Sequence, residues 1–220
     1  MLENIKKEVL FYALEAEKSG LCRHKSGNFS CRDKESGRIC ITPAGCDRNL
    51  LRPEDIIVVD ENACVIEAQT GLRPTSETLM HLAIYAQRPD VFAVVHTHSR
   101  FATAFAVLGR KIPAIVYEIA NLGCREGFVP VARYGRPGTA QLAENIAGPM
   151  EISDTVLLES HGAVAVGENL QDTLLKAQYL EELAEIYHLA LLANGGMEPP
   201  HISVEELKKW AYPSQIQQKT

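Results

Sequence analysis

Short apolar runs alternate with amphipathic segments along most of the chain, and this alternation restricts the possible folds more than any other feature. Runs bounded by turn residues predict strands at 29–32, 38–41, 56–59, 91–96, 112–116, 129–131, 155–158 and 163–166. Apolar residues at helical spacing predict helices at 3–18, 75–87, 101–108, 138–147 and 170–193. Elements in this order predict an α/β fold with a mixed sheet.

The length of the chain is compatible with one domain. With 220 residues it can bury a single core, and no shift in composition divides it. We therefore expect one domain over residues 1–220. The segment from about residue 198 is first proline-rich and then polar, and we expect part of it to be mobile.

The net charge and the cysteines of the chain limit the kinds of partner and the cellular compartment that we expect. A formal net charge of −6 argues against nucleic acid or an anionic membrane as a partner, since both need a basic surface. No apolar run reaches the length of a membrane span, and the first residues lack the pattern of a signal peptide. The six cysteines form no C-x-x-C pair, which is typical of free thiols in a reducing compartment. A cytoplasmic protein is the expectation.

Two histidines follow the apolar run 91–95 as His96-Thr97-His98. Residues two apart on a strand point to the same face, so both imidazoles can reach one ion at the end of the strand. An isolated pair of this kind can equally form hydrogen bonds at a strand end. The pair alone therefore leaves both interpretations open.

A third histidine, His161, lies with Gly162 between two further apolar runs. A catalytic zinc typically has three protein ligands and an open position, and His161 supplies a third donor for the pair. A structural zinc would need a fourth ligand, often cysteine, and no cysteine lies beside these histidines in the sequence. The other histidines are interpreted as structural or surface residues: His24, His81, His188 and His201.

Glu77 lies in the first turn of a predicted helix, after Thr75 and Ser76. A carboxylate there is stabilised by the positive end of the helix, or it serves as a base beside the metal. The helix start and the loops 26–30 and 42–45 offer free N–H groups and hydroxyls, which suit a phosphate.

These motifs together resemble one known family. Ser26-Gly27-Asn28-Phe29-Ser30, Thr42-Pro43-Ala44-Gly45, Pro74-Thr75-Ser76-Glu77, His96-Thr97-His98-Ser99 and His161-Gly162 occur in this order. In this combination the chain resembles the class II aldolase and epimerase family, which includes sugar-phosphate aldolases, pentulose-phosphate epimerases and the adducin head domain. The resemblance extends from the first predicted helix to the last long one.

The resemblance implies a three-layer α/β/α fold around a mixed, mostly antiparallel sheet. It also implies a homotetramer with active sites between subunits and one Zn²⁺ per subunit, held by His96, His98 and His161. Glu77 would ligate the resting zinc and then act as acid and base.

The substrate implied by the resemblance is a small sugar phosphate. Asn28, Gly45, Thr75 and Ser76 match positions that bind its phosphate. The stretch 112–118 is similar to that of the aldolases acting on L-fuculose 1-phosphate, in which the residue at the Tyr117 position crosses the subunit interface to protonate the aldehyde oxygen. The resemblance thus implies a zinc-dependent aldehyde-lyase that reversibly cleaves a ketose 1-phosphate to dihydroxyacetone phosphate and a short aldehyde.

Two departures and several alternatives accompany this interpretation. Ala44 stands where these aldolases commonly carry a hydroxyl residue, and the Lys25-Ser26 lead-in is also unusual. A pentulose-5-phosphate 4-epimerase of the L-ribulose-5-phosphate type is the nearest alternative, although such enzymes usually carry Asp at the Glu77 position. A methylthiopentulose-phosphate dehydratase and a non-catalytic adducin-like interaction module are the others. Tyr212 is a further candidate to reach over a site, but a surface role beside Trp210 is favoured.

Overall fold

The computed structural model describes residues 2–209 and has helices on both faces of one large sheet. The helices are α1 Leu2–Lys18, α2 Thr78–Gln87, α3 Arg100–Val107, α4 Ala140–Ile152, α5 Leu170–Ala193 and α6 Val204–Leu207. The strands are β1 Asn28–Arg32, β2 Ile39–Ile41, β3 Ile57–Val59, β4 Val65–Glu67, β5 Ala93–Thr97, β6 Ile112–Pro113, β7 Phe128–Val129, β8 Val131–Ala132, β9 Thr155–Leu158 and β10 Gly162–Gly167.

The main sheet has the strand order β4-β3-β2-β1-β5-β10-β9-β8. Neighbouring strands are antiparallel throughout, except for β8 and β9, which are parallel. Strands β6 and β7 form a separate two-stranded ladder. The predicted mixed, mostly antiparallel sheet is therefore confirmed.

Alternate side chains of the central strands enter two different cores. Val94 and Val164 pack on one face with Ile84 of α2 and Met150 of α4. Val95 packs on the opposite face with residues of α1 and the start of α5. Because residues i and i+1 of a strand point to opposite sides, the continuous apolar run of β5 is what a sheet covered on both faces requires. The three-layer α/β/α arrangement is confirmed.

Several predicted boundaries were wrong, each for a local reason. Helix α2 begins at Thr78, because Thr75 donates its N–H to the Thr42 carbonyl at 3.0 Å and so belongs to a loop pairing. The strand predicted at 112–116 is reduced to Ile112–Pro113, since Val116 already leads into a 3-10 turn. Strand β4 was missed because it is an edge strand with exposed valine and isoleucine side chains.

The C-terminal part of the described chain lies against the body of the protein. The Ile202 N–H donates to the Ala114 carbonyl at 2.7 Å, and the Tyr187 hydroxyl donates to Glu198 at 2.7 Å. Tyr212 falls outside the described residues. Within residues 2–209, no helix combines the length and the apolar character that crossing a bilayer would demand.

Two leucines of α5 test the described packing with the same substitution. Leu180 is buried in the core between α3 and α5, whereas Leu175 is 46% exposed. Leu180→Ala should lower the free energy of unfolding by about 2–5 kcal/mol, because it leaves a cavity. Leu175→Ala should change it by no more than about 0.5 kcal/mol. Urea unfolding of both variants measures the difference, and equal effects would contradict the packing.

Candidate metal centre and substrate cavity

Strand β5 is paired on both sides, and this pairing brings distant parts of the chain together. His96 lies opposite Asn28 of β1 and opposite Val164 of β10. His98 follows the end of β5, and His161 immediately precedes β10. Three histidines from two separate segments thereby meet at one edge of the sheet.

The three imidazoles each present one ring nitrogen to a common point. These donor atoms of His96, His98 and His161 all lie within 4.8 Å of one another. The Nε2 atoms of His96 and His98 are 3.0 Å apart. On its other side, Nδ1 of His96 lies 2.9 Å from the Ala163 carbonyl oxygen, which can only accept a hydrogen bond. Nδ1 therefore carries the proton, and Nε2 directs its lone pair at the common point.

Glu77 closes the cluster from α2. Its Oε2 lies 3.1 Å from His96 Nε2, and its Oε1 lies 3.0 Å from His161 Nε2. Asn28 donates an amide N–H to Oε2 at 3.0 Å. Glu77 is the N-cap residue of α2, yet its side chain makes no capping hydrogen bond. The carboxylate is therefore directed to the histidines and not to the helix end.

Burial and charge set the protonation states of the cluster. Burial alone would raise the pKa of Glu77, but the facing imidazoles of His96 and His161 and the Asn28 hydrogen bond lower it well below the usual range. Burial lowers the pKa of His96 to about 3, so its imidazole is neutral at pH 7. The buried carboxylate of Glu77 thus faces the lone pair on Nε2 of the neutral His96 imidazole. A cation between the two groups would remove the repulsion between them.

The donor set fits a divalent zinc-like ion. Three imidazoles and a carboxylate are ligands that zinc prefers. The Nδ1 atom of His161 is buried and has no hydrogen-bond partner among the described residues. The other ring nitrogen of His161, Nε2, faces the cluster, where it can serve as a metal ligand.

Two glycines allow the close approaches that build the cluster. A side chain at Gly162 would collide with the Thr97 carbonyl and lie 3.1 Å from Cδ2 of His98. A side chain at Gly27 would lie 2.6 Å from the His96 carbonyl, and Gly27 also has a φ of +77°. Neither position accepts a larger residue without moving the end of β5.

Arg48 stabilises the loop before β1 through hydrogen bonds to its backbone carbonyls. Its buried guanidinium donates to the carbonyls of His24 (3.3 Å) and Gly27 (2.6 Å) and also to that of Ser26. In a trans peptide the N–H points away from the preceding carbonyl, so the Gly27 N–H is directed away from Arg48. This is the orientation that a backbone anion site needs.

A cavity of about 290 Å³ opens beside the cluster. The predicted site residues that line it are Asn28, Gly45, Thr75, Ser76, Glu77, His98 and His161. His96 is fully buried behind them. Two further residues that line the cavity, Lys25 and Pro137, were not predicted to belong to the site. Pro137 carries no chemical signal in the sequence, whereas Lys25 was noted only as an unusual lead-in.

Tyr117 lies apart from this cavity. It opens the 3-10 turn Tyr117–Leu122, is 36% exposed, and is not among the residues that line the cavity of its own subunit. Its assignment to a site across a subunit interface stays a prediction.

Residues 7–188 match the family described as the class II aldolase and adducin N-terminal domain. The chain belongs to this family. The family is metal-dependent in its aldolase members, which agrees with the three-histidine cluster. The predicted family is therefore confirmed, and the similar aldolases described next confirm the predicted enzyme class, a class II aldolase.

Two aldolases from other organisms illustrate the similarity. The 5-deoxy-D-ribulose 1-phosphate aldolase of Bacillus thuringiensis is 35% identical over 209 residues, covering 95% of this chain and 96% of that protein. The L-fuculose phosphate aldolase of Haemophilus influenzae is 35% identical over 204 residues, covering 93% and 90%. A solved structure of an L-fuculose 1-phosphate aldolase superposes with a TM-score of 0.87 at 36% identity, covering 93% of both chains.

Gly162→Ala tests the geometry of the cluster. The added methyl should displace Thr97 and His98 and weaken Zn²⁺ binding by about 10-fold or more. Gly148→Ala is the matched control, because a side chain at Gly148 in α4 meets nothing within 4 Å. It should leave metal binding unchanged, and no gain in helix stability is expected, because a residue with a Cβ is disfavoured in a helix directly before a proline such as Pro149. Calorimetric titration with Zn²⁺ measures both, and unchanged affinity in Gly162→Ala would contradict the geometry.

Proposed function

We propose that this protein is a zinc-dependent aldolase that cleaves a ketose 1-phosphate reversibly to dihydroxyacetone phosphate and a short aldehyde. The observation that carries the proposal is the convergence of three imidazole donors within 4.8 Å, beside a cavity lined by glycine and hydroxyl residues. A carboxylate shared between two of the imidazoles supports the same chemistry.

The substrate phosphate would bind at the loop side of the cavity. Asn28, Gly45, Thr75 and Ser76 supply an amide, backbone N–H groups and two hydroxyls, which together suit a phosphate. Anchoring at this end would direct the ketone and its neighbouring hydroxyl toward the histidines. Orientation of this kind lowers the entropic part of the barrier.

We assign the metal to His96, His98 and His161, with Glu77 as a fourth ligand before substrate binds. The ion, when bound, supplies a Lewis acid that stabilises negative charge on the substrate oxygens. Glu77 would then hold or return the proton at C3, for which its position between two imidazoles is suitable.

Tyr117 would act on the aldehyde fragment in a neighbouring subunit. Its partial exposure and its separation from the cavity of its own chain support a role in trans. Val107 and Leu108, which are 61% and 69% exposed, provide apolar surface for subunit contacts. We therefore propose a homotetramer with active sites between subunits.

We propose a reducing, cytoplasmic environment and no nucleic-acid or membrane partner for the enzyme. All six cysteines are free, and three of them are buried on or near β1 and β2. We also propose that the whole chain forms one domain.

A panel of sugar phosphates tests the activity and its metal dependence. L-Fuculose 1-phosphate and 5-deoxyribulose 1-phosphate both break between C3 and C4, so each should release dihydroxyacetone phosphate and differ only in the aldehyde. A chelator should abolish release, and added Zn²⁺ should restore it. Formation of an epimer from L-ribulose 5-phosphate without release of a three-carbon phosphate would contradict the aldolase assignment.

Mixed oligomers test the role of Tyr117. Tyr117→Phe and Glu77→Gln should each lower kcat by about 10²–10⁴-fold, because each removes a proton-transfer group. Tyr117→Phe should retain its zinc. Co-expressed subunits of the two variants should recover activity above either variant alone, since some sites then combine an intact Glu77 with an intact Tyr117 from the neighbour. Absence of recovery in purified mixed oligomers would place Tyr117 in its own subunit's site or outside catalysis.

A further inference from the structure

A chain of hydrogen bonds runs from Glu77 into the core between β1 and α2. Asn28 donates to Glu77 Oε2 at 3.0 Å, and its Oδ1 lies 2.5 Å from His81 Nε2. His81 Nδ1 lies 2.7 Å from the Ser30 hydroxyl, which in turn lies 2.8 Å from the Tyr85 hydroxyl. All of these side chains are buried, and His81 is fully so.

The negative charge of Glu77 determines the direction of every bond in this chain. The Asn28 amide must present its NH₂ to the carboxylate, because its carbonyl oxygen would be repelled there. Its Oδ1 therefore faces His81, and only a protonated Nε2 can donate to it. An imidazole protonated at Nε2 alone accepts at Nδ1, so Ser30 donates to His81.

The imidazole of His81 is neutral in this position. Burial lowers the pKa of His81 to about 4, although the nearby charge of Glu77 opposes the shift. A neutral ring has one donor and one acceptor nitrogen, and both are used in the chain described above. With a neutral ring, this is the one arrangement of protons that makes every hydrogen bond from Glu77 through Asn28, His81 and Ser30 to Tyr85.

We infer that His81 is a positioning residue, which fixes the Asn28 amide so that its NH₂ faces both Glu77 and the substrate phosphate. The inference rests on the proposed function, since Asn28 and Glu77 have their roles there. An amide has two N–H groups, so one can remain on Glu77 while the other serves an anion in the cavity that Asn28 lines. His81 itself does not line the cavity and touches no substrate.

Loss of His81 would leave the buried carbonyl oxygen of Asn28 without a hydrogen-bond donor. The amide would then shift toward another donor, and its NH₂ would lose part of its contact with Glu77 and with the phosphate. Supporting residues of this kind typically contribute about 10–100-fold to activity. His81→Gln should lower the activity less than His81→Leu does, because the glutamine amide N–H can donate to Asn28 in place of the ring.

A double-mutant cycle separates positioning from general support of the fold. His81→Leu and Asn28→Ala should each lower kcat/KM by about 10–100-fold. If His81 acts through Asn28, the double variant should match Asn28→Ala to within about 2-fold. Multiplying effects would overturn the inference. Thr173→Val is the control: it removes a fully buried hydroxyl that bonds Asn169 at 2.6 Å, remote from the cavity, and should leave kcat/KM unchanged.

A measurement on the unaltered protein decides the question if His81→Leu does not fold. Nitrogen-15 NMR of histidine-labelled protein should show His81 protonated at Nε2 and unprotonated at Nδ1 between pH 6 and pH 9. The opposite tautomer, or a charged ring at pH 7, would overturn the inference. Failure of the proposed function is distinct: the wild type would then cleave no ketose phosphate, whereas the His81 tautomer would still be observed.

Discussion

The pairing of β5 with β1 and with β10 is the constraint on which the rest of the site depends. It places His96 opposite Asn28 and Val164, and it brings His161 beside His96 and His98. A shift of one residue in either ladder would turn His96 to the opposite face and separate the donors. Gly27 and Gly162 matter because they permit both ladders to close at this point.

Charge organises the region around that pairing. A buried carboxylate, Glu77, faces two imidazoles on one side and the Asn28 amide on the other. The same negative charge orders hydrogen bonds as far as Ser30 and Tyr85, deep between β1 and α2. The site is therefore supported from within the core, so that its residues hold their orientations before any ligand arrives.

The sequence predicted the parts of the fold that carry strong local patterns. Helix α5 has an apolar stripe at helical spacing, and strand β5 is part of a continuous apolar run. Both elements were predicted. The start of α2 was misplaced because the pairing of Thr75 with Thr42 is a contact between distant segments. His81 was assigned to a structural or surface role, since a lone histidine on a helix gives no sign of its partners. The resemblance supplied the grouping of Glu77 with the histidines, which spacing alone left open.

We propose that three imidazoles from two separate segments of the chain hold one ion. Anomalous diffraction at the zinc edge, recorded from crystals of the purified protein, tests it most directly. We expect one strong peak per chain, at about 2.0–2.1 Å from a nitrogen of each of His96, His98 and His161. A fully active preparation with no peak between these rings, or with its only ion elsewhere, would show that the three imidazoles do not hold a catalytic metal.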